Sequence, residues 1–144
     1  MVQGAILILL NGDGRVLLQD RGDDAPAYPG QWGLFGGAVE FGETVWQALL
    51  REAMEELRHD ASNAKFAFVW RGVDPVRGAC ERHYYIDRYH AGRILELHEG
   101  QAMGWFTFDE LQTLDLAPNI TLEMDRIRKV LSGHSEAAEP RGEP

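Results

Sequence analysis

The chain has 144 residues, of which 44% are hydrophobic and 10% aromatic, and it carries a formal net charge of −9 and one cysteine. This size and composition predict one globular domain and exclude a disordered chain. The acidic balance argues against a nucleic acid polymer as partner, because such a surface requires a basic stripe.

The beginning of the chain bears on its location. The apolar run from Ala5 to Leu10 is too short to span a bilayer and has neither a basic flank nor a cleavage site. We therefore expect neither secretion nor contact with a membrane. Because Cys80 has no second cysteine with which to pair, a reducing, cytoplasmic setting fits best.

Hydrophobic patterns and turn residues predict the elements in chain order. The run Ala5 to Leu10 is typical of a buried strand, and the turn sequence that follows predicts an opening hairpin. The predicted strands are Ala5 to Leu10, Arg15 to Gln19, Trp32 to Phe35, Lys65 to Trp70, Arg82 to Tyr89 and Met103 to Phe106. Loops are expected at Asp20 to Gly30 and Gly72 to Gly78, a short helical turn at Asp109 to Leu111, and an amphipathic helix at Asn119 to Leu131.

This order of elements indicates the fold class. Runs of strands separated by helices predict an α+β protein in which a mixed sheet lies between helices, as an α/β/α sandwich. We expect residues 1–132 to form a single domain. The polar tail at 133–144 is predicted to be disordered.

An acidic helix in the middle of the chain carries the strongest functional signal. At about 100° per residue, Glu52, Glu55 and Glu56 share one arc of this helix. The apolar residues fall mostly on the opposite side: Trp46, Leu49, Leu50, Ala53, Met54 and Leu57. Like charges at this spacing repel, which suggests a missing cation. The alternative is an ordinary solvated surface on which Arg51 or Arg58 bridges to Glu55.

The segment before this helix favours the cation. Gly36 and Gly37 allow a close backbone approach, and Glu43 places an acid near the positive end of the helix. A glycine-rich loop leading into a carboxylate face suits Mg²⁺, which takes oxygen ligands and is usually shared with substrate phosphates. Once it holds metal, such an acidic site accepts a polyphosphate.

The spacing of these residues resembles a known signature. Gly37, five residues, Glu43, seven residues and the run Arg51-Glu52-Ala53-Met54-Glu55-Glu56 are similar to the signature of the Nudix hydrolases, which cleave nucleoside diphosphates linked to another moiety. The resemblance extends from about Ala5 to Leu131. It implies the Nudix-type sandwich, with the acidic signature helix against a mixed sheet.

Two features depart from the family pattern. The pattern closes with a glycine and an aliphatic residue, where this chain has Arg58 and His59. This departure concerns the helix cap rather than the chemistry. Phe35 stands where many relatives have proline, beside the catalytic loop.

The resemblance implies a metal-assisted attack of water on phosphorus, with Mg²⁺ as cofactor and Mn²⁺ as a substitute. It implies Glu52 and Glu56 as the principal ligands. The full set of expected ligands is Gly36 (through its carbonyl), Glu52, Glu55, Glu56 and Glu99. Arg51 is expected to orient these acids by pairing with Glu43 or Glu55.

A second, looser similarity makes Glu99 a candidate site residue. Nudix relatives that cleave nucleoside triphosphates carry a Glu-Gly-Gln ahead of a Trp-containing strand, as this chain does at Glu99-Gly100-Gln101. This implies that Glu99 is a metal ligand or the general base. The base is therefore Glu99 or Glu52, with Glu96 as the fallback if Glu99 is a surface acid.

Two residues are candidates for substrate binding. Arg21 either reaches a phosphate or base, or it is a solvated loop arginine. Asn119 either caps the last helix or resembles an asparagine with which some family members read a purine edge. Because an amide both donates and accepts, it matches what a base requires.

The resemblance implies hydrolysis of a purine nucleoside triphosphate, oxidised or not, to nucleoside monophosphate and pyrophosphate. A nucleotide sugar or ADP-ribose is the alternative substrate. A nucleotide-binding module without turnover is the alternative of another class. Dimers are common in the family, which implies a possible homodimer.

Overall fold

The structure is a computed structural model that describes residues 1–98 and 102–132. These residues form seven strands and four helices: β1 (Val2–Leu10), β2 (Val16–Asp20), β3 (Trp32–Gly33), β4 (Phe35–Ala38), α1 (Val45–Leu57), β5 (Lys65–Asp74), β6 (Gly78–Arg88), β7 (Ala102–Phe106), α2 (Phe108–Leu111), α3 (Pro118–Thr121) and α4 (Met124–Leu131). No helix among them is long and apolar enough to cross a bilayer. The tail predicted at 133–144 lies outside the described residues.

One mixed sheet organises the fold around β1. The order of its main path is β3-β2-β1-β6-β5, while β4 pairs with β1 and β7 pairs with β2. Ile6 shows the mixture of directions, since it lies opposite Tyr84 of parallel β6 and opposite Gly36 of antiparallel β4. The predicted opening hairpin is present and is joined through the pair Leu10 and Val16.

Alternate side chains of β1 enter two hydrophobic cores, one on each face of the sheet. The core beneath α1 contains Ala5, Leu7, Leu9, Leu49, Leu57 and Tyr85. The core beneath α2, α3 and α4 contains Ile6, Ile8, Tyr84, Leu111, Ile120 and Ile127. Burial on both faces explains why β1 is continuously apolar from Ala5 to Leu10. The predicted α/β/α sandwich is confirmed.

Local bonds define both ends of α1. The Thr44 hydroxyl accepts the Gln47 N–H at 3.1 Å, and the Gln47 side chain accepts the Thr44 N–H at 2.9 Å, which forms a capping box. At the other end Arg58 adopts a left-handed conformation with φ of 56°, and its N–H donates to Met54 O at 3.0 Å. The helix cap therefore forms although the family's glycine is replaced.

Some predicted boundaries are wrong because tertiary pairing overrides local pattern. Gly36 and Gly37 lie in β4 rather than in a loop, since both pair with β1. Residues 72–74, predicted as a connector, continue β5 because they pair with β6. The helix predicted over 119–131 is two helices, α3 and α4, separated at Glu123, where φ is −131° and ψ is 35°. The predicted strand Trp32 to Phe35 is also divided, into β3 and β4, which pair with different neighbours.

Candidate active site

Gly36 brings β4 into contact with the acidic helix. Its φ is 138°, and a Cβ at this position would lie 2.1 Å from the Ala5 carbonyl oxygen, so that only glycine fits. The Gly36 N–H donates to Glu56 Oε1 at 2.8 Å. Glu56 is 2% exposed, and this bond satisfies part of its buried carboxylate.

Gly37 brings the same strand against Glu52. A Cβ at Gly37 would lie 2.5 Å from Glu52 Oε1 and 2.9 Å from Oε2, so the carboxylate rests on the strand backbone. The paired glycines of the signature thus have a steric purpose. They allow two carboxylates of α1 to approach β4 side by side.

Glu52 and Glu56 line one large cavity. Its volume is about 720 Å³, and its wall contains Gln19, Arg21, Gly22, Asp23, Asp24, Ala25, Pro26, Gly36, Gly37, Glu52, Glu56 and Arg77. The loop between β2 and β3 therefore faces the acidic helix across this space. Glu55 does not line the cavity: its side chain is 59% exposed and receives a 3.3 Å bond from Arg51.

Arg51 connects the acids of the signature. Its Nε and Nη2 donate to the two oxygens of Glu43 at 2.6 and 2.9 Å, while Nη1 donates to Glu52 Oε1 at 2.8 Å. A further bond, from Nη2 to the Ala38 carbonyl at 3.2 Å, ties the guanidinium to the end of β4. This arrangement holds Glu52 at the cavity wall.

These bonds shift the pKa values of Glu43 and Arg51. The hydrogen bonds from Arg51, followed by one from the Glu40 N–H, lower the pKa of the Glu43 carboxyl from 4.5 to about 2. The same contact with Glu43 raises the pKa of the Arg51 guanidinium. The pair is therefore fully charged over the whole physiological range.

The donor set fits a hard divalent cation that is shared with a substrate. Among residues 1–98 and 102–132, no group of three His, Cys, Asp or Glu side chains is close enough together to hold an ion unaided. Mg²⁺ is usually bound by one or two carboxylates and completes its shell with water and phosphate oxygens. Glu52 and Glu56, on a cavity that is large enough for a polyphosphate, provide this incomplete set.

Arginines supply the opposite charge. Arg21, predicted as a phosphate or base ligand, lines the large cavity, and its Nε donates to the Ala27 carbonyl at 2.7 Å. Arg77, in the turn between β5 and β6, lines the same cavity. Sequence reasoning missed Arg77, because a single arginine in a polar turn carries no distinguishing signal.

Asn119 fixes the link between β3 and β4. Its Oδ1 accepts the Leu34 N–H at 3.2 Å, and its Nδ2 donates to the Leu34 carbonyl at 3.1 Å. It is not a capping residue, since Ala117 is the N-cap of α3 and Pro118 follows it. Asn119 also lines a smaller cavity that shares wall residues with the large one.

One of the candidates for the general base lies outside the described residues. Glu99 is not among them. The preceding segment approaches α1, since the His98 N–H donates to the Glu56 carbonyl at 2.9 Å. Glu96, the fallback, has a 60% exposed side chain 3.2 Å from His98 Nε2.

Comparison with known proteins agrees with this geometry. The sequence matches the NUDIX domain family over residues 2–127. The nucleoside triphosphatase NudI of Enterobacter sp. (strain 638) is 36% identical over 121 residues, which cover 75% of this chain and 84% of the relative. The chain belongs to the Nudix family. It is a Nudix hydrolase, and α1 is its Nudix helix.

Solved structures share the fold. The solution structure of the Escherichia coli ORF135 protein has a TM-score of 0.74 and 27% identity, and the match covers 92% of each chain. The crystal structure of a MutT NUDIX hydrolase from Burkholderia pseudomallei has a TM-score of 0.68 and 30% identity, covering 90% of this chain and 97% of that one. The predicted resemblance to the Nudix hydrolases and the Nudix sandwich are thus both confirmed.

Proposed function

We propose that this Nudix hydrolase cleaves nucleoside triphosphates, purine forms foremost, to nucleoside monophosphate and pyrophosphate with the help of Mg²⁺. The observation that carries the proposal is the shared cavity, whose wall combines the Glu52 and Glu56 carboxylates with Arg21 and Arg77. The NudI relatives, which are named nucleoside triphosphatases, support this class of substrate.

Each group has a separate task in the proposed reaction. Glu52, Glu56 and the Gly36 carbonyl would hold the cation. When bound, Mg²⁺ or Mn²⁺ neutralises phosphate charge and makes water a better nucleophile. Arg21 and Arg77, which line the same cavity, bind phosphate oxygens.

The remaining groups handle the proton and the geometry. Glu52 or Glu99 accepts the proton of the attacking water. Arg51 keeps the Glu52 carboxylate directed towards the cavity, since one of its N–H groups is bonded to Oε1. Exposed Glu55 supports the cluster through Arg51. Asn119 remains the candidate for reading the base from the smaller cavity.

Product release decides the substrate class. We would incubate the protein with nucleoside triphosphates, oxidised purine triphosphates, nucleotide sugars and ADP-ribose, with Mg²⁺, Mn²⁺ or EDTA. Metal-dependent release of pyrophosphate and monophosphate from triphosphates supports the proposal. Cleavage confined to sugars or ADP-ribose contradicts it, and binding without cleavage of any compound indicates a module without turnover.

A matched pair of variants tests the cation site. Glu56→Gln should lower kcat by about 100-fold or more, because it removes an anionic ligand while it keeps the shape of the side chain. Asp109→Asn makes the same chemical change on the exposed side of α2 and should leave activity unchanged. Mn²⁺ binding, followed by electron paramagnetic resonance, should weaken in Glu56→Gln only.

Location and assembly complete the proposal. A cytoplasmic setting is supported by Cys80, which is buried and has no cysteine partner in the sequence. A homodimer is expected from the family, and light scattering would detect it as a species of twice the 16.2 kDa chain mass. A single species at the chain mass would exclude the dimer.

A further inference from the structure

A smaller cavity of about 70 Å³ adjoins the large one. The two cavities share Arg21, Gly36, Gly37 and Arg77. The wall of the smaller one also contains Tyr28, Arg82 and Asn119. A substrate whose phosphates lie beside Glu52 and Glu56 can therefore extend its other end into this space.

Arg82, on β6, is an unusual component of that wall. It is 6% exposed, and its guanidinium lies 4.7 Å from the ring centroid of Trp70. Nη2 donates to Asp74 Oδ2. Nη1 has no hydrogen-bond acceptor within the two described segments of the chain. Buried donors are nearly always satisfied in native proteins, so an orphaned one on a residue that lines a cavity suggests a ligand.

The charge of Arg82 is already balanced. Asp74 faces it from β5 and also accepts the Tyr28 hydroxyl and the N–H groups of Val76 and Arg77, the latter two at 2.8 Å. The carboxylate thus fixes the guanidinium from one side and cancels its charge. What remains on this cavity-lining residue is an unpaired N–H donor whose positive charge is already paired with a carboxylate. Such a donor matches a neutral acceptor better than it matches a phosphate, for which Arg21 and Arg77 are available in both cavities.

We propose that Arg82 selects nucleobases that present an exocyclic carbonyl oxygen, to which its Nη1 donates. The inference rests on the proposed function, because the phosphates of the same substrate occupy the larger cavity. Guanine and uracil carry a carbonyl where adenine and cytosine carry an amine. An amine facing Nη1 places donor against donor and leaves the buried N–H unsatisfied.

Binding of non-hydrolysable triphosphate analogues tests the inference separately from turnover. Calorimetry would compare the α,β-imido analogues of GTP with ATP and of UTP with CTP. We expect roughly 10- to 100-fold tighter binding of the carbonyl member of each pair, because the amine member leaves the buried N–H unsatisfied. In Arg82→Lys, which keeps a cation beside Asp74, this ratio should fall towards one.

Two further proteins make the result decisive. Arg82→Met combined with Asp74→Asn removes both buried charges, and circular dichroism would verify that it folds; its ratio should also fall towards one. Arg71→Lys, in an exposed ion pair on the neighbouring strand, should keep the wild-type ratio. Equal binding of both members by the wild type, or an unchanged ratio in the Arg82 variants, overturns the inference. Selective binding without hydrolysis would retain it and reject the proposed function.

Discussion

The Arg51 guanidinium donates two hydrogen bonds to the Glu43 carboxylate, of 2.6 and 2.9 Å, and a third to Glu52. The segment before the Nudix helix is thereby tied to the helix itself. Because the guanidinium is planar and has several donors, it can serve both carboxylates at once.

Replacing Arg51 with lysine should therefore cost about 1 to 3 kcal/mol of unfolding free energy and lower kcat more than it raises KM. A lysine offers a point charge that cannot span Glu43 and Glu52 together. Urea unfolding and steady-state kinetics measure the two effects. The control is Arg15→Lys, in a single 3.3 Å contact with Glu110, which should change neither quantity. An equal loss of stability and of kcat in both variants would mean that the bonds from Arg51 to Glu43 and Glu52 have no special role.

Glu43 should make the protein sensitive to acid. Its pKa is about 2 in the folded protein and has an ordinary value of 4.5, so folding favours the ionised form. The stability from this group is complete above pH 4.5 and is lost as the pH falls towards 2. Urea midpoints at pH 7, 4.5 and 3 should decline less steeply in Glu43→Gln than in the wild type. Some decline should persist, because Arg71 also lowers the pKa of Glu81 to about 2. Parallel curves for the two proteins would contradict the assignment.

Gly36→Ala should destabilise the protein severely. The new Cβ would meet backbone, the Ala5 carbonyl, at 2.1 Å, and backbone cannot move aside as a flexible side chain can. Thermal unfolding would register the loss as a much lower Tm or as failure to fold. Gly12→Ala is the matched change, since a Cβ there meets nothing within 4 Å. If Gly36→Ala melted like Gly12→Ala, the close approach of β4 to β1 would be wrong.

Arg58→Gly should stabilise the protein by up to about 1 kcal/mol. Arg58 ends the Nudix helix with φ of 56°, a conformation that is strained for a residue with a Cβ and free of strain for glycine. Arg58→Ala distinguishes the effect of backbone strain from the effect of the lost charge, because it removes the guanidinium but retains the Cβ. We expect a higher Tm for the glycine variant than for the alanine variant. The opposite order would show that the entropy lost by glycine on folding outweighs the relief of strain.

Local pattern was sufficient for much of the fold. The continuously apolar run of β1, the spacing of Glu52, Glu55 and Glu56 along one helix, and the alternation of β6 are all visible in consecutive residues. Periods of 2 and 3.6 residues follow from backbone geometry alone, so they can be recognised without knowing what each element packs against. The resemblance to the Nudix signature depended on the same short-range spacing, and that resemblance implied the sandwich fold.

The partners of individual residues depended on the assembled chain. Sequence spacing put Glu52, Glu55 and Glu56 on one helix face, yet Glu56 is buried under Gly36 whereas the Glu55 side chain is 59% exposed. The sequence predicted a loop at Gly36 and Gly37, but both residues pair with β1 and therefore belong to a strand.

The smaller cavity depends on assembly as well. It gathers Arg21, Arg77, Arg82 and Asn119, which are dispersed over nearly a hundred positions of the sequence. The residues around Arg82 in the sequence do not reveal that Asp74 balances its charge, or that Nη1 has no acceptor among residues 1–98 and 102–132. Periodicity reports which way a side chain faces along its own element. Contact and burial arise only when separate elements pack together, and these set the chemistry of the site.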